Sequence, residues 1–124
     1  MGAVNNTNLS VHASAARTAS IDSSDFRNRH HRGVRVHINA TASAATPSVV
    51  FTIQGKDAIN GEYYDLLASA AVTGAGDTYL LVYPGATTAA NLVANLALPP
   101  TWRVKAVAAD ADSLTYEVTA ELLK

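Results

Sequence analysis

No cysteine occurs in the 124 residues, which excludes disulfide staples and thiolate-bound zinc. The fold must therefore be held by packing and backbone pairing, or by association between copies. No apolar run approaches the roughly 20 residues that cross a bilayer, so no membrane partner is expected. The opening Met-Gly-Ala-Val-Asn-Asn-Thr has neither a basic nor an apolar region, and no secretory signal is expected. Gly2 could invite myristoylation, but Asn6 stands where that pattern wants Ser or Thr. The Asn-x-Ser/Thr triplets at Asn5, Asn8 and Asn39 lack a secretory context and are read as chance matches.

Charge is scarce too, at 15% of residues, so its distribution stands out. Through His37 the charged residues are Arg17, Arg27, Arg29, Arg32 and Arg35 against Asp22 and Asp25, a balance of +3, and all four histidines lie in the same stretch. The remainder sets Lys56, Arg103, Lys105 and Lys124 against eight carboxylates, a balance of −4. Opposite signs within one chain permit head-to-tail contacts between copies, or a basic segment laid on an acidic neighbour.

Hydrophobic patterning changes near Gly33. Residues 1–32 are rich in Ser, Asn, Ala, Arg and His and read as a polar, basic N-terminal arm, whereas residues 33–124 read as a β body. Leu114, Tyr116, Val118, Ala120 and Leu122 alternate with Thr115, Glu117, Thr119 and Glu121, the period of a half-buried strand. Val34, Val36, Ile38 and Ala40 alternate in the same way. Strands are also predicted over 48–55, 63–67, 77–83 and 102–108, with Asn60-Gly61 turning one hairpin. Residues 87–98 fit either a helix or an irregular crossover. In the arm, 9–15 and 17–21 have weak extended character and could add to an edge of the body or of a neighbour. The expected fold is all-β, an antiparallel sandwich or barrel of jelly-roll type with an extended N-terminal arm.

No constellation of catalytic side chains accompanies this pattern, and the chain is not expected to be an enzyme. Adjacent His30 and His31 on an extended chain point to opposite faces and chelate poorly, so no metal is expected. Asp110 and Asp112 lack the further oxygen ligands of a calcium loop and read as a hairpin turn. No Gly-x-Ser-x-Gly elbow occurs, and Gly74-Ala75-Gly76 precedes a predicted strand instead of opening a helix, so no phosphate-bearing cofactor is expected. The sharpest run is Phe26-Arg27-Asn28-Arg29-His30-His31-Arg32. One aromatic is too few for a nucleic-acid platform, so no nucleic acid is expected. Arg17, Phe26, Arg27, Arg29, His30 and Arg32 are instead the candidate partner-binding residues, facing carboxylates of another protein. Tyr63, Tyr64, Tyr79, Tyr83, Tyr116 and Trp102 supply a second possibility, a sugar-binding surface.

The strings Phe-Thr-Ile-Gln-Gly-Lys-Asp (51–57), Asn-Gly-Glu-Tyr-Tyr-Asp-Leu-Leu (60–67), Val-Tyr-Pro-Gly (82–85) and Leu-Pro-Pro-Thr-Trp-Arg-Val (98–104) resemble a family of small structural proteins of tailed phages and prophages. Asp25-Phe26-Arg27-Asn28 and Arg32-Gly33-Val34 are similar as well. Pro100 departs from the pattern, which tends to place a basic residue there. The resemblance implies a virion component assembled in the bacterial cytoplasm, a head decoration or minor capsid protein. Its partners would be the major capsid protein or other virion proteins, and it would form a homo-oligomer, with a trimer favoured. A neck- or tail-associated virion protein and a carbohydrate-binding module are the alternatives.

Overall fold

The computed structural model describes residues 5–124; Gly2 lies outside the described residues. Ten strands form two sheets: β1 (Thr7–Arg17), β2 (Ile21–Asp22), β3 (Phe26–Arg27), β4 (Gly33–Ala44), β5 (Val49–Lys56), β6 (Tyr63–Ala68), β7 (Gly76–Val82), β8 (Val93–Ala94), β9 (Thr101–Ala108) and β10 (Ser113–Leu123). One sheet has the order β1-β10-β4-β7-β8, and the other β2-β9-β5-β6 with β3 also on β9. Among the described residues there is no helix.

The pairing is nested. β1 pairs with β10, β2 and β3 with β9, β4 with β7, and β5 with β6, all antiparallel. A long antiparallel ribbon folded on itself in this way, with successive pairs falling alternately in the two sheets, is the jelly roll. The all-β sandwich expected from period-2 alternation is thus the observed architecture.

Alternation decides what fills the roll. β4 supplies Val34, Val36, Ile38 and Ala40, β10 supplies Leu114 through Leu122 at every second position, and β7 supplies Leu80 and Val82. Facing them are Val49, Phe51 and Ile53 of β5 and Trp102, Val104 and Ala106 of β9. Phe51 meets the edge of Tyr116 across the sheets, with ring centroids 4.9 Å apart at 87°. Each fully buried large side chain contributes about 1.5–3 kcal/mol over exposure. Gly33 opens β4 where any Cβ would strike the Val82 carbonyl and the Tyr83 backbone, so close approach of the backbones requires glycine there.

The N-terminal residues differ from the arm expected over 1–32. β1 extends the first sheet, pairing from Thr7↔Leu122 to Arg17↔Leu114, while β2 and β3 cover the outer edge of β9. Leu9, Val11 and Phe26 pack on the core. The boundary drawn at residue 33 therefore marks a change of composition, not a change from loose chain to folded body. The physical reason is that β9 and β10 would otherwise present open edges, whose backbone groups the N-terminal strands satisfy. Residues 87–98 form an irregular crossover. Asn91 takes a positive φ of 62°, and β8 pairs in parallel with β7 through Leu81↔Val93 and Val82↔Ala94.

His12 stitches the two sheets at the β1 edge. Its side chain is buried, and Nε2 donates to the Val104 carbonyl on the opposite sheet at 3.3 Å. Burial pushes its pKa below the ordinary 6.5; the Val104 bond opposes that shift, Arg17 adds to it and Asp22 counters it. The unfolded chain therefore takes up this proton before the folded one does. Stability from this site is complete above about pH 6.5 and is lost as pH falls below it. Thermal melts between pH 8 and pH 5 should show that decline, and His12→Leu should flatten it; a His12→Leu protein with an unchanged slope would remove His12 as the cause.

Among the described residues two buried polar atoms, Trp102 Nε1 and the Tyr116 hydroxyl, have no hydrogen-bond partner. An unpaired buried hydroxyl costs about 1–3 kcal/mol. Tyr116→Phe should therefore keep or raise stability, whereas Tyr116→Ala should lower it by about 3–5 kcal/mol through cavity formation. Urea denaturation of both variants measures the contrast.

Candidate partner-binding site

One end of the roll collects the β3–β4 bend (residues 28–32), the β5–β6 turn (57–62), the segment before β9, and Lys124. Asn28 organises the bend from a buried position. Its Nδ2 donates to the carbonyls of His31 (2.8 Å) and Leu98 (3.0 Å), and its Oδ1 accepts from the His31 amide (3.0 Å). Backbone bonds from Asn28 to Pro100 O, from Arg32 to Leu123 O and from Leu98 to Arg32 O fix the rest. A short basic run with little helix or strand character is thus rigid, because one amide side chain replaces the missing ladder.

Arg29, His30 and Arg32 project into solvent from this bend, and Arg27 does so from the end of β3 beside it. Among the described residues none of them pairs with a carboxylate; the ion pairs found are Arg35–Glu121, His37–Asp77, Lys56–Asp25 and Arg103–Asp22. The other two candidates are placed differently. Phe26 lies on Trp102, with ring centroids 5.0 Å apart, and anchors β3 within its own subunit. Arg17 sits 4.7 Å over the Tyr116 ring near the far end of the roll and donates to the carbonyls of Tyr116 (3.1 Å) and Ala13 (2.6 Å). The structure therefore brings together four of the six residues.

Beside the bend, the outer face of the β9-β5-β6 sheet carries a polar network that residue patterns alone do not reveal. Arg103 lies 3.4 Å over the Tyr63 ring, donates through Nε to Gln54 Oε1 (2.9 Å), and faces Asp22 (3.4 Å). Gln54 in turn donates to Asp65 (2.8 Å). The Tyr63 hydroxyl donates to Asp25 (2.7 Å), and Lys56 closes the group at 3.1 Å. The Tyr63 bond, helped by Lys56, holds the Asp25 carboxyl below its ordinary range. Asp22 and Asp25 both come from the N-terminal segment, so the network fastens that segment to the sheet.

The aromatic residues divide. Trp102 and Tyr116 are core, Tyr63 is covered by Arg103, and the Tyr83 hydroxyl donates to the Lys124 carbonyl (2.7 Å). Tyr79 is exposed and stacked on His37 (4.5 Å, 13°), beside a groove of about 560 Å³ that Asn8, Arg35, Glu117 and Glu121 also line. Among the described residues no three His, Asp or Glu side chains converge as a metal site.

No protein-family profile matches the chain, and no curated protein sequence matches it. Among solved structures, the chain is similar to the SPBc2 prophage-derived protein YomS, with 16% identity and a TM-score of 0.56 over 97% of this chain and 94% of that one. The likeness shows a shared fold. A chain of infectious bursal disease virus, Gx strain, aligns with 9% identity and a TM-score of 0.44, over 94% of this chain and 31% of that one.

Asn28→Ala would leave two carbonyls and one amide without their partners. A stability loss of about 2–3 kcal/mol is expected, with faster amide exchange confined to residues 28–33 and 98; an unaltered exchange pattern would show that the bend does not depend on Asn28.

Proposed function

We propose that this chain is a structural virion protein of a tailed phage, and more narrowly a head decoration or minor capsid protein that binds other virion proteins without transforming a substrate. The observation that carries the reading is the end-to-end likeness to a prophage-derived protein: 97% of one chain against 94% of the other. That span includes the N-terminal strands.

The basic bend supplies a mode of attachment. Arg27, Arg29, His30 and Arg32 are displayed on a backbone already fixed by Asn28, so binding an acidic protein surface would order little chain. Contacts of this kind add affinity when many copies engage a repeating lattice. An ordered bend thereby takes the role that a free arm would have had.

A tagged chain expressed during infection by its own phage should co-sediment with purified particles, and Arg27→Glu/Arg29→Glu/Arg32→Glu should fold normally yet stay in the soluble fraction. Copies at every lattice site would mark a decoration protein, and a single ring of copies a neck protein; particles devoid of the chain would overturn the virion reading. A second reading, contact with a glycan, is favoured by the exposed Tyr79–His37 stack above its groove. Tyr79→Ala in the same experiment should leave incorporation intact under either reading and reduce adsorption to cells only under the second.

A further inference from the structure

Asn60 is the one asparagine of the chain that precedes a glycine, and it stands in the β5–β6 turn, where Asn60, Gly61 and Glu62 are all exposed. An asparagine side chain before glycine is open to attack by the backbone nitrogen that follows it, because glycine has no Cβ to obstruct the approach and swings freely in φ and ψ. Nothing nearby shields the step: a Cβ built on Gly61 would meet no atom within 4 Å. The position has the composition and the solvent access of a spontaneous modification site.

What the folded turn withholds is the nucleophile. Gly61 N donates to the Asp57 carbonyl at 2.9 Å, and Asp57 N donates to the Glu62 carbonyl at 2.8 Å, so the loop is closed on both sides. The Asp57 side chain keeps it closed: its Oδ1 accepts from the amides of Ile59 (2.8 Å) and Asn60 (3.1 Å), an aspartate capping its own turn. Gly61 is thereby fixed at φ +78°. The electrophile is treated differently. Asn60 Oδ1 accepts from the Glu62 amide at 2.8 Å, and a donor on that oxygen draws electrons from Cγ. The side chain is primed for attack while the attacking nitrogen is held.

We infer that Asn60 is a deamidation site whose rate is set by opening of the β5–β6 turn, with Asp57 as the positioning residue that keeps the turn shut. Once the turn opens locally, the Gly61 nitrogen gives its proton to solvent and bonds to Asn60 Cγ. The Cγ–Nδ2 bond breaks, ammonia leaves with a proton taken from solvent, and a cyclic imide remains. Water then adds to either imide carbonyl and breaks its bond to nitrogen, leaving aspartate or isoaspartate at position 60. One water is consumed and one ammonia released, with no oxidant or reductant. The product adds a carboxylate to a groove where Arg27 and Lys56 now stand against Asp25 and Asp57, and isoaspartate also inserts a methylene into the backbone of the turn. The inference stands apart from the virion reading, since the conversion is measured on the purified protein alone.

The full chain is held at mildly alkaline pH, folded in buffer and unfolded in guanidinium chloride, and conversion at Asn60 is followed by peptide mass mapping that separates aspartate from isoaspartate. The unfolded chain should convert at Asn60 ahead of every other asparagine, and the folded chain about tenfold or more slowly. Asp57→Ala, checked by circular dichroism to be folded, should convert roughly fivefold faster than the folded parent. Asp57→Asn keeps an Oδ1 that accepts both amides while losing the charge, so it should stay near the parent rate. Failure of Asn60 to convert in the unfolded chain would overturn the site, and equal rates in the folded and unfolded chains would overturn control by the turn. An unchanged rate in Asp57→Ala, or an Asp57→Asn rate as fast as that of Asp57→Ala, would overturn the role of the Asp57 hydrogen bonds.

Discussion

The ladder between β4 and β10 is the constraint on which the rest of the roll depends. It runs from Ser113↔Ala44 to Leu123↔Gly33 with a single shift beside Thr115, through the middle of the first sheet. It joins segments some 70 or more residues apart, so its closure costs more chain entropy than the β5–β6 hairpin does. In return it aligns two apolar faces, Val34 to Ala40 and Leu114 to Leu122, over the opposite sheet. Among the described residues β1 has no strand partner other than β10, and β4 is the antiparallel partner of β7. Gly33 at the end of this ladder lets β4 start directly against the Val82 carbonyl, so the need for glycine there is tied to the same constraint.

Polar groups then finish what the core begins. At the β1 edge the inward position facing Val118 is His12, and its ring spans to the second sheet by a hydrogen bond instead of by apolar packing alone. On the outer face of the second sheet, Arg103, Gln54, Tyr63 and Asp65 form a connected set that Asp22, Asp25 and Lys56 extend to the N-terminal strands. Exposed ion pairs are worth little singly, but here Arg103, Asp65, Asp25 and Lys56 each also touch a neutral group, the Gln54 amide or the Tyr63 ring or hydroxyl, that fixes their geometry. Among the described residues Arg27, Arg29 and Arg32, in and beside the β3–β4 bend, have no carboxylate partner.

The strands of the body were legible because their side chains alternate cleanly, and the predicted limits fall within a few residues of the observed ones at β4, β5, β6, β7, β9 and β10. β1 was faint for a physical reason: of its eleven residues only Leu9, Val11 and His12 turn toward the core to any depth, and one of those is polar. β2 and β3 have two residues each, too short to show any period. Which strand pairs with which is a property of the whole ribbon that no local pattern carries. At the candidate site the run of cations was visible as composition, while its rigidity rests on Asn28 reaching residues as distant as Leu98. The network around Arg103 draws on residues between Asp22 and Arg103, each unremarkable in its own neighbourhood.

The nested pairing bears on how the polypeptide leaves the ribosome. The partner of Thr7 is Leu122, so β1 emerges long before its mate and waits through the elongation of the strands between them. An apolar strand left waiting that long would invite aggregation with other nascent chains. The Asn, Ser, Thr and Ala residues that fill its outward positions keep it solvated in the meantime. The polar character of the N-terminal residues is thus suited to the delay between translation and closure of the roll.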